Sequence, residues 1–440
     1  MKTILITSFH NFTARNILVA PFLKLLTEAG DIRVVVVVPE GKVPFYETSF
    51  GGKNVIVHGV PGRLRHIDAF LKDLAFASMR TKSLGIMRSH NIGIERLWSQ
   101  KLLFWAPIIQ RFIPFLYAYL VPRRTYADVF ELYAPSLLLA SDVFSATDNR
   151  LMHEARFRNI PIIGIVRSWD NLTTKGPLRV RPNILVVQNE MMKKEAVDLH
   201  GMREEDVRPI GIPHHDRYVN GPKHSWSEFI ASIGGDSSKK IILYAAQGDR
   251  HFKNTTNTFD QNMINSLAEM IPATHELLVR LPIADTVYLG GLRHARKVLF
   301  DQPGMVFDSD MKKIKKNELC IEDDDHLIDT LYYSSVVISV STSLFCDATL
   351  CDRPTITVGF GGLEWTLQFN HLQPLLRSGG IYIARTPMEL KFGIERYIHD
   401  VSQDRTGRQK IRDTLVSGYD GHASERLYAL VCSFLRANTL

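Results

Sequence analysis

The sequence is poor in cysteine, has no long uninterrupted apolar run and shows no large net charge, and each scarcity removes a class of protein. Only four of its 440 residues are cysteines, Cys320, Cys346, Cys351 and Cys432. They form no CxxC pair and no Cys/His cluster with zinc spacing, which argues against a disulfide framework or structural metal and fits a reducing cytoplasm. The first residues, MKTILITSFH, enter an apolar strand pattern at once, without the charged region, apolar core and cleavage site of a secretion signal. Export is therefore not expected. The stretch from Leu102 to Pro122 is apolar and aromatic, but Gln110 and Arg111 interrupt it and Pro107 and Pro114 are expected to break it. A spanning helix needs about 20 mostly apolar residues, so a transmembrane span is rejected. There is no repeat of solenoid period and no low-complexity segment.

Apolar residues make up 45% of the chain and charged residues 22%, the balance of a globular protein with a substantial core. Its length suits two domains of about 200 residues each. The formal net charge is +7. From Arg63 to Arg124 there are eleven Lys/Arg against three acidic residues, Asp68, Asp73 and Glu95, so this stretch accounts for the whole excess and the remainder is about neutral. It also contains Trp105, Tyr117 and Tyr119 and closes on Arg123 and Arg124. Basic flanks with interfacial aromatics suit a lipid surface; a buried helical hairpin is the alternative. Nucleic acid is disfavoured because the stretch has no recognition motif.

Short β-branched runs alternate with helical patterns. Residues 2–7 and 33–38 flank a predicted helix over 14–29, making a βαβ unit whose second strand is apolar throughout, as for a parallel strand covered on both faces. Further strands are predicted at 55–58, 137–140, 162–166 and 184–188. After a turn-rich linker over 211–223, a second series is predicted at 240–245, 275–280, 305–307, 336–340, 355–358 and 380–384. The expected architecture is α/β, two Rossmann-like domains in tandem facing a cleft, with ligands outside the carboxyl ends of the strands.

The segment DTLYYSSVVISVSTSLFCDATLCDRPTITVGF, Asp329 to Phe360, is the most informative. A buried strand runs into Ser341, Thr342 and Ser343 at a helix start, where free backbone N–H groups and hydroxyls suit a diphosphate. The same residues also commonly act as helix caps. Asp347 lies one turn on, placed for a ribose hydroxyl or for the helix dipole. In AAQGDR, Gln247 and Gly248 follow a strand and are offered to a ligand; Arg280 ends another strand and could neutralise phosphate. The acidic run Glu322–Asp325 imitates a metal-binding signature, but a solvated helix start accounts for it.

In the first half, FHNFTARNIL follows the first strand without a GxGxxG fingerprint, which argues against an ordinary dinucleotide site; His10 and Arg15 are its polar candidates. The loop VRSWDNLTTKG gathers Trp169, Asp170, Asn171 and Lys175. Trp169 offers a face for a sugar. Asp170 is either a general base toward an acceptor hydroxyl or the anchor of an Asx turn. His214 and His215, in GIPHHD, are placed to line the cleft; as neighbours on an extended chain they would diverge, so no metal is expected.

The strand, Ser/Thr turn, helix with an acidic residue and Pro before the next strand resemble the donor half of GT-B glycosyltransferases. DGHASER, Asp420 to Arg426, is similar to a DGxASER sequence near the end of bacterial CDP-glycerol glycerophosphotransferases and related surface-polysaccharide transferases, and segments like the Asp170 loop recur in such enzymes. The resemblance implies an acceptor domain over 1–215 with a basic, aromatic insertion near 63–124, a nucleotide-donor domain over 224–415, and a helix over 416–440 packing back on the first domain. It implies a metal-independent glycosyltransferase with no bound cofactor and a nucleotide-activated sugar of UDP, CDP or CMP type as co-substrate. The acceptor would be a glycan or lipid-linked molecule at the inner face of the cytoplasmic membrane, in lipopolysaccharide or capsule synthesis. The turn SVSTS lacks the acidic or glycine residues that many relatives have there, leaving base and sugar open. A non-hydrolysing UDP-sugar 2-epimerase and a non-catalytic assembly protein share the fold and stand as alternatives.

Overall fold

The computed structural model describes the chain apart from residues 63–64, 91, 93–105, 250–257, 284, 294–297, 307–316, 417–418 and 438–440. Trp105, Arg250 and the first residues of the 102–122 stretch therefore lie outside the described residues. The chain divides into two compact units: Met1–Asp216 with Ser417–Leu440, and Arg217–Val416.

The first unit is built on a seven-stranded sheet in the order β3-β2-β1-β4-β5-β6-β7, every neighbouring pair parallel. Its strands are β1 (Lys2–Thr7), β2 (Ile32–Pro39), β3 (Val55–Val60), β4 (Leu137–Ala140), β5 (Ile162–Ile165), β6 (Ile184–Val187) and β7 (Val207–Pro209). Val34 to Val38 are fully buried, as a strand covered on both faces requires. The sheet turns at β1, where Ile4 registers with Val34 on one side and Leu137 on the other.

The helix predicted over 14–29 is broken. A short turn Asn11–Thr13 passes into a π-helix Ala14–Leu18, and a separate helix Pro21–Glu28 starts with Pro21 at its first position. Proline has no N–H to continue the earlier ladder, but it suits a helix's first turn, where that N–H has no partner. The opposite correction applies to Pro114. Helix Ala106–Leu120 runs through it, because a single lost backbone bond is outweighed by packing on helix His66–Ser78, where Ile113 meets Leu74 and Ala75. Among the described residues no helix is long and apolar enough to cross a membrane.

The basic stretch is anchored by one buried ion pair. Asp68 accepts from Arg150 Nε at 2.9 Å and Arg150 Nη2 at 2.7 Å, tying helix His66–Ser78 to helix Ala146–Phe157. At the other end of the chain, helix Ala423–Ala437 belongs to the first unit. Leu427, Val431 and Leu435 recur at intervals of four and are buried, the helix packs on Pro21–Glu28, and Asp216 caps it by accepting from Ala423 N at 2.9 Å and Ser424 N at 2.7 Å. Lys2 Nζ donates to the carbonyl of Leu435.

The second unit repeats the plan in six parallel strands, β10-β9-β8-β13-β14-β15. They are β8 (Lys240–Ala245), β9 (His275–Arg280), β10 (Val298–Asp301), β13 (Ser334–Ser339), β14 (Thr355–Val358) and β15 (Ile381–Ala384). The predicted strand at 305–307 is not part of this sheet. β11 (Met305–Val306) pairs antiparallel with β12 (Asn317–Glu318) instead, and β10 takes the edge. In both units the strand order reverses beside the first strand, so each sheet has one topological switch point, at β1/β4 and at β8/β13.

Candidate functional site

Ligands of open α/β sheets bind beyond the carboxyl ends of the strands at the switch point, so the two switch points are the places to examine, each within its own unit.

In the first unit that place is occupied by the protein itself. Thr7, ending β1, donates through Oγ1 to Asp148 Oδ1, and the same carboxylate oxygen accepts from Asp142 N at 3.4 Å. Thr7 Oγ1 also accepts from Ser141 N at 2.8 Å. Asp148 lies in the first turn of helix Ala146–Phe157, so a side-chain carboxyl sits where an external anion would seek the helix N-terminus. Burial, reinforced by the charge of Asp142, pushes the Asp148 carboxyl up to about 7. Asp142 itself pairs with Arg167 Nη1 at 2.6 Å.

Around this plug the structure arranges several of the sequence candidates. His10 caps the turn Asn11–Thr13, its Nδ1 accepting from Phe12 N at 3.3 Å, and its ring stacks on Phe12. That bond assigns the proton of the neutral imidazole to Nε2. Arg15 is buried over the Phe12 ring, with Nε donating to Asn16 Oδ1 at 3.3 Å. Asn16 Nδ2 donates to the carbonyl of Arg167 at 3.3 Å, joining the loop after β1 to the loop after β5. A small cavity there is lined by Asn16, Arg167, Gln188, Val166, Ile212 and Leu427 among others.

The loop after β5 carries Trp169, Asp170, Asn171 and Lys175. Asp170 Oδ1 accepts from Ser168 Oγ at 2.6 Å and Asn171 Nδ2 at 3.1 Å, and Oδ2 accepts from Thr174 Oγ1 at 2.9 Å. Its backbone carbonyl holds Thr173 and Thr174 as well. Asp170 thus organises its own loop. Trp169 and Asn171 are buried and Lys175 is exposed. A neighbour that sequence reasoning passed over is Glu195, on helix Glu190–His200, whose carboxyl is pushed up to about 7 by burial and by the charge of Asp170. Its signal was not readable in the sequence, since it depends on that helix packing against Asn171–Thr174. His214 and His215 lie on a 3₁₀ turn, Pro213–Tyr218, and not on an extended chain. Their rings consequently approach to 4.5 Å between centroids, tilted by 54°, where divergence was expected.

In the second unit the loop after β8 is tied down by Asp260. This buried carboxylate accepts from Tyr244 Oη at 2.5 Å and from the backbone N–H groups of Gln247 and Gly248, both at 2.9 Å. Those two N–H groups are therefore committed within the chain. Gly248 has φ +81°, and a Cβ there would come within 2.7 Å of Asp285 Oδ2, which explains glycine at this turn. Arg280 is likewise engaged: Nη1 donates to Asp301 Oδ2, and His326 Nε2 lies 3.3 Å from the other oxygen. Burial works to raise the Asp301 pKa, but the Arg280 charge and the His326 contact outweigh it and hold it down to about 2.

The turn after β13 is different. Thr342 Oγ1 accepts from Leu344 N at 3.2 Å, and Ser343, the residue preceding helix Leu344–Leu350, makes no capping bond with its side chain. The cap is made by Thr342 alone. Ser341 is partly exposed and Ser343 exposed, beside the β8 end, to which Ser339 Oγ links by donating to the carbonyl of Ala245 at 2.9 Å. Asp347 is buried in the helix that follows. The switch point thus brings together Gln247, Gly248 and Ser341–Ser343, while Arg280 lies one strand outward with its own partner.

No protein-family model and no curated protein matches the sequence. Solved structures do. The UDP co-structure of S. aureus MnaA has a TM-score of 0.56 and 12% identity, covering 99% of this chain and 97% of that one. The Neisseria meningitidis UDP-GlcNAc 2-epimerase bound to UDP-GlcNAc gives 0.55 and 12%, with 99% and 100% covered. The wall teichoic acid polymerase TagF gives 0.55 and 13%, with 100% and 90% covered. At these identities the likeness speaks for the fold: the chain has the GT-B fold of two Rossmann-like units along its whole length.

Proposed function

We propose that this chain is a glycosyltransferase that moves a sugar, or a sugar-like group, from a nucleotide-activated donor to a membrane-associated glycan or lipid-linked acceptor. The observation that carries the reading is the turn Ser341–Ser343. It lies at the switch point of the second sheet, begins a helix, and leaves two hydroxyls outside the capping of that helix. Hydroxyls at the positive end of a helix are suited to phosphate oxygens. The equivalent place in the first unit is filled by Asp148, which supports assigning the donor to the second unit and the acceptor to the first.

In this reading the acceptor oxygen attacks the anomeric carbon, the bond from that carbon to the diphosphate oxygen breaks, and the acceptor proton passes to Asp170. His10, with its proton on Nε2, is the second candidate for the proton relay and is set to donate a hydrogen bond first. Arg15, Trp169, Asn171, Lys175, His214 and His215 are the acceptor-side candidates, and Asp347 the candidate for the donor ribose. The committed N–H groups of Gln247 and Gly248 argue for a shaping role in the donor loop, and the Asp301 partner argues the same for Arg280.

The test is a thermal-shift screen against UDP, CDP, CMP, GDP and dTDP with the wild type and with Ser341→Ala/Ser343→Ala. One nucleotide is expected to stabilise the wild type. Its affinity should fall about a hundredfold or more in the variant, since each of the two lost hydroxyls contributes about 1.5–3 kcal/mol when it bonds a charged group. No shift with any nucleotide would leave the reading without its donor site. The UDP bound to MnaA and the UDP-GlcNAc bound to the Neisseria enzyme favour a second reading, a UDP-sugar 2-epimerase. Conversion of a UDP-sugar in the absence of any acceptor would establish that one instead.

A further inference from the structure

We infer that the exposed face of helix Ala106–Leu120 is a docking face for an anionic lipid bilayer. The helix is apolar on two opposite sides. Ile113 and Tyr117 are buried, with Ile113 against Leu74 and Ala75. On the other side Ile108, Phe112, Phe115 and Tyr119 fall within one stripe at helical spacing and are 54%, 54%, 72% and 87% exposed. Four large apolar side chains on one exposed stripe exceed the scattered single exposures normal on a surface.

Charge selects the occupant. Between residues 106 and 124 there is no aspartate or glutamate, whereas Arg111 lies beside the stripe and Arg123 and Arg124 close it. All three arginines are exposed. Arg123 and Arg124 stack over the ring of Phe157, at 5.4 and 5.8 Å, so a further half-exposed aromatic continues the patch under fixed positive charge. An aromatic and aliphatic stripe flanked by arginine fits the headgroup boundary of a bilayer. A second copy of the chain fits poorly: a self-complementary contact over this stripe would bring the arginines of two copies together with no acid on the stripe to pair them. Among the described residues no helix is long and apolar enough to span, so this stripe is read as a surface contact.

Docking rests on the transfer reading only for its purpose, a lipid-linked acceptor, and it is measured separately. The full-length protein is mixed with vesicles of phosphatidylcholine, alone or with phosphatidylglycerol, and binding is followed by flotation. Binding is expected to the anionic vesicles and to weaken with salt. Each arginine near such a surface strengthens binding about fivefold, so Arg123→Gln/Arg124→Gln should weaken it about tenfold or more. Phe112→Ser/Phe115→Ser/Tyr119→Ser should abolish it, with the melting temperature and nucleotide response unchanged. The inference is overturned if the wild type does not bind anionic vesicles, if the triple variant binds as well, or if the wild type is a dimer in solution that the triple variant dissolves. A silent nucleotide screen with intact flotation would sink the transfer reading and leave this one standing.

Discussion

Two sheets with the same strand order end their central strands differently. At β1/β4 the space beside the helix start is closed by Thr7, Asp142 and the carboxyl of Asp148. At β8/β13 an internal carboxylate is also present, but Asp260 holds the loop after β8 and leaves Ser341 and Ser343 beyond its reach. The difference teaches that a Rossmann-like topology supplies a place for an anion without deciding whether the anion comes from solution. A single acidic residue in the first turn of the helix fills it from inside.

Three experiments break or sharpen that contrast, and the largest effect belongs to Arg280. If it is committed to Asp301, Arg280→Ala leaves a buried carboxylate with only the partly exposed His326 beside it and should cost up to about 3–5 kcal/mol in urea unfolding. Unchanged stability together with a lost nucleotide response would reverse the assignment and make Arg280 part of the open site.

Next in size is a pH effect at the closed switch point. In the fold, burial raises the Asp148 carboxyl to about 7 from its ordinary value of 3.8. Between those values the folded protein holds more protons than the unfolded chain, so this residue's contribution is full below pH ~4 and is lost as pH rises through ~7. The loss amounts to at most about 4 kcal/mol. Comparing unfolding of the wild type and Asp148→Asn across that range should show the falling slope in the wild type only. Parallel curves would mean that Asp148 is charged in the fold and the plug is an anion.

The smallest expected effect is at the open switch point, where Ser341→Ala should change stability by no more than about 0.5 kcal/mol, as for a surface position away from structural networks. A loss of 1 kcal/mol or more would show that the hydroxyl serves the fold instead of a ligand.

The fold was largely legible because buried parallel strands are short apolar runs: β1, β4, β8, β9 and β14 lie where those runs lie. What escaped was edge and junction. β7 is three residues ending in Pro209, too short to show a period, and β10 was passed over in favour of Met305–Val306, which pairs elsewhere. The Ser341–Ser343 turn was readable from the strand before it and the helix after it. Asp148 was not, because in sequence it is only an acidic residue in a helix's first turn behind the capping Ser145. Its partner Thr7 comes within reach only once β4 has paired beside β1. Asp260 and Asp301 were hidden in the same way, each serving a backbone or side chain brought to it by the sheet. His214 and His215 would diverge on an extended chain, and they converge because Pro213–Tyr218 is a 3₁₀ turn, which the sequence does not mark.

The seam made by helix Ala423–Ala437, with its cap on Asp216 and its buried leucine and valine stripe on Pro21–Glu28, has a consequence for biosynthesis. The second unit is one continuous stretch of chain, Arg217–Val416, and its sheet is complete in sequence before that helix has been made. The first unit, although translated earlier, waits for helix Ala423–Ala437 to pack on Pro21–Glu28. On the ribosome, the later half is therefore the one able to finish first, and a nascent chain stalled before Ala423 would carry a finished second unit beside a first one with an uncovered apolar flank, the form that chaperones and proteases recognise.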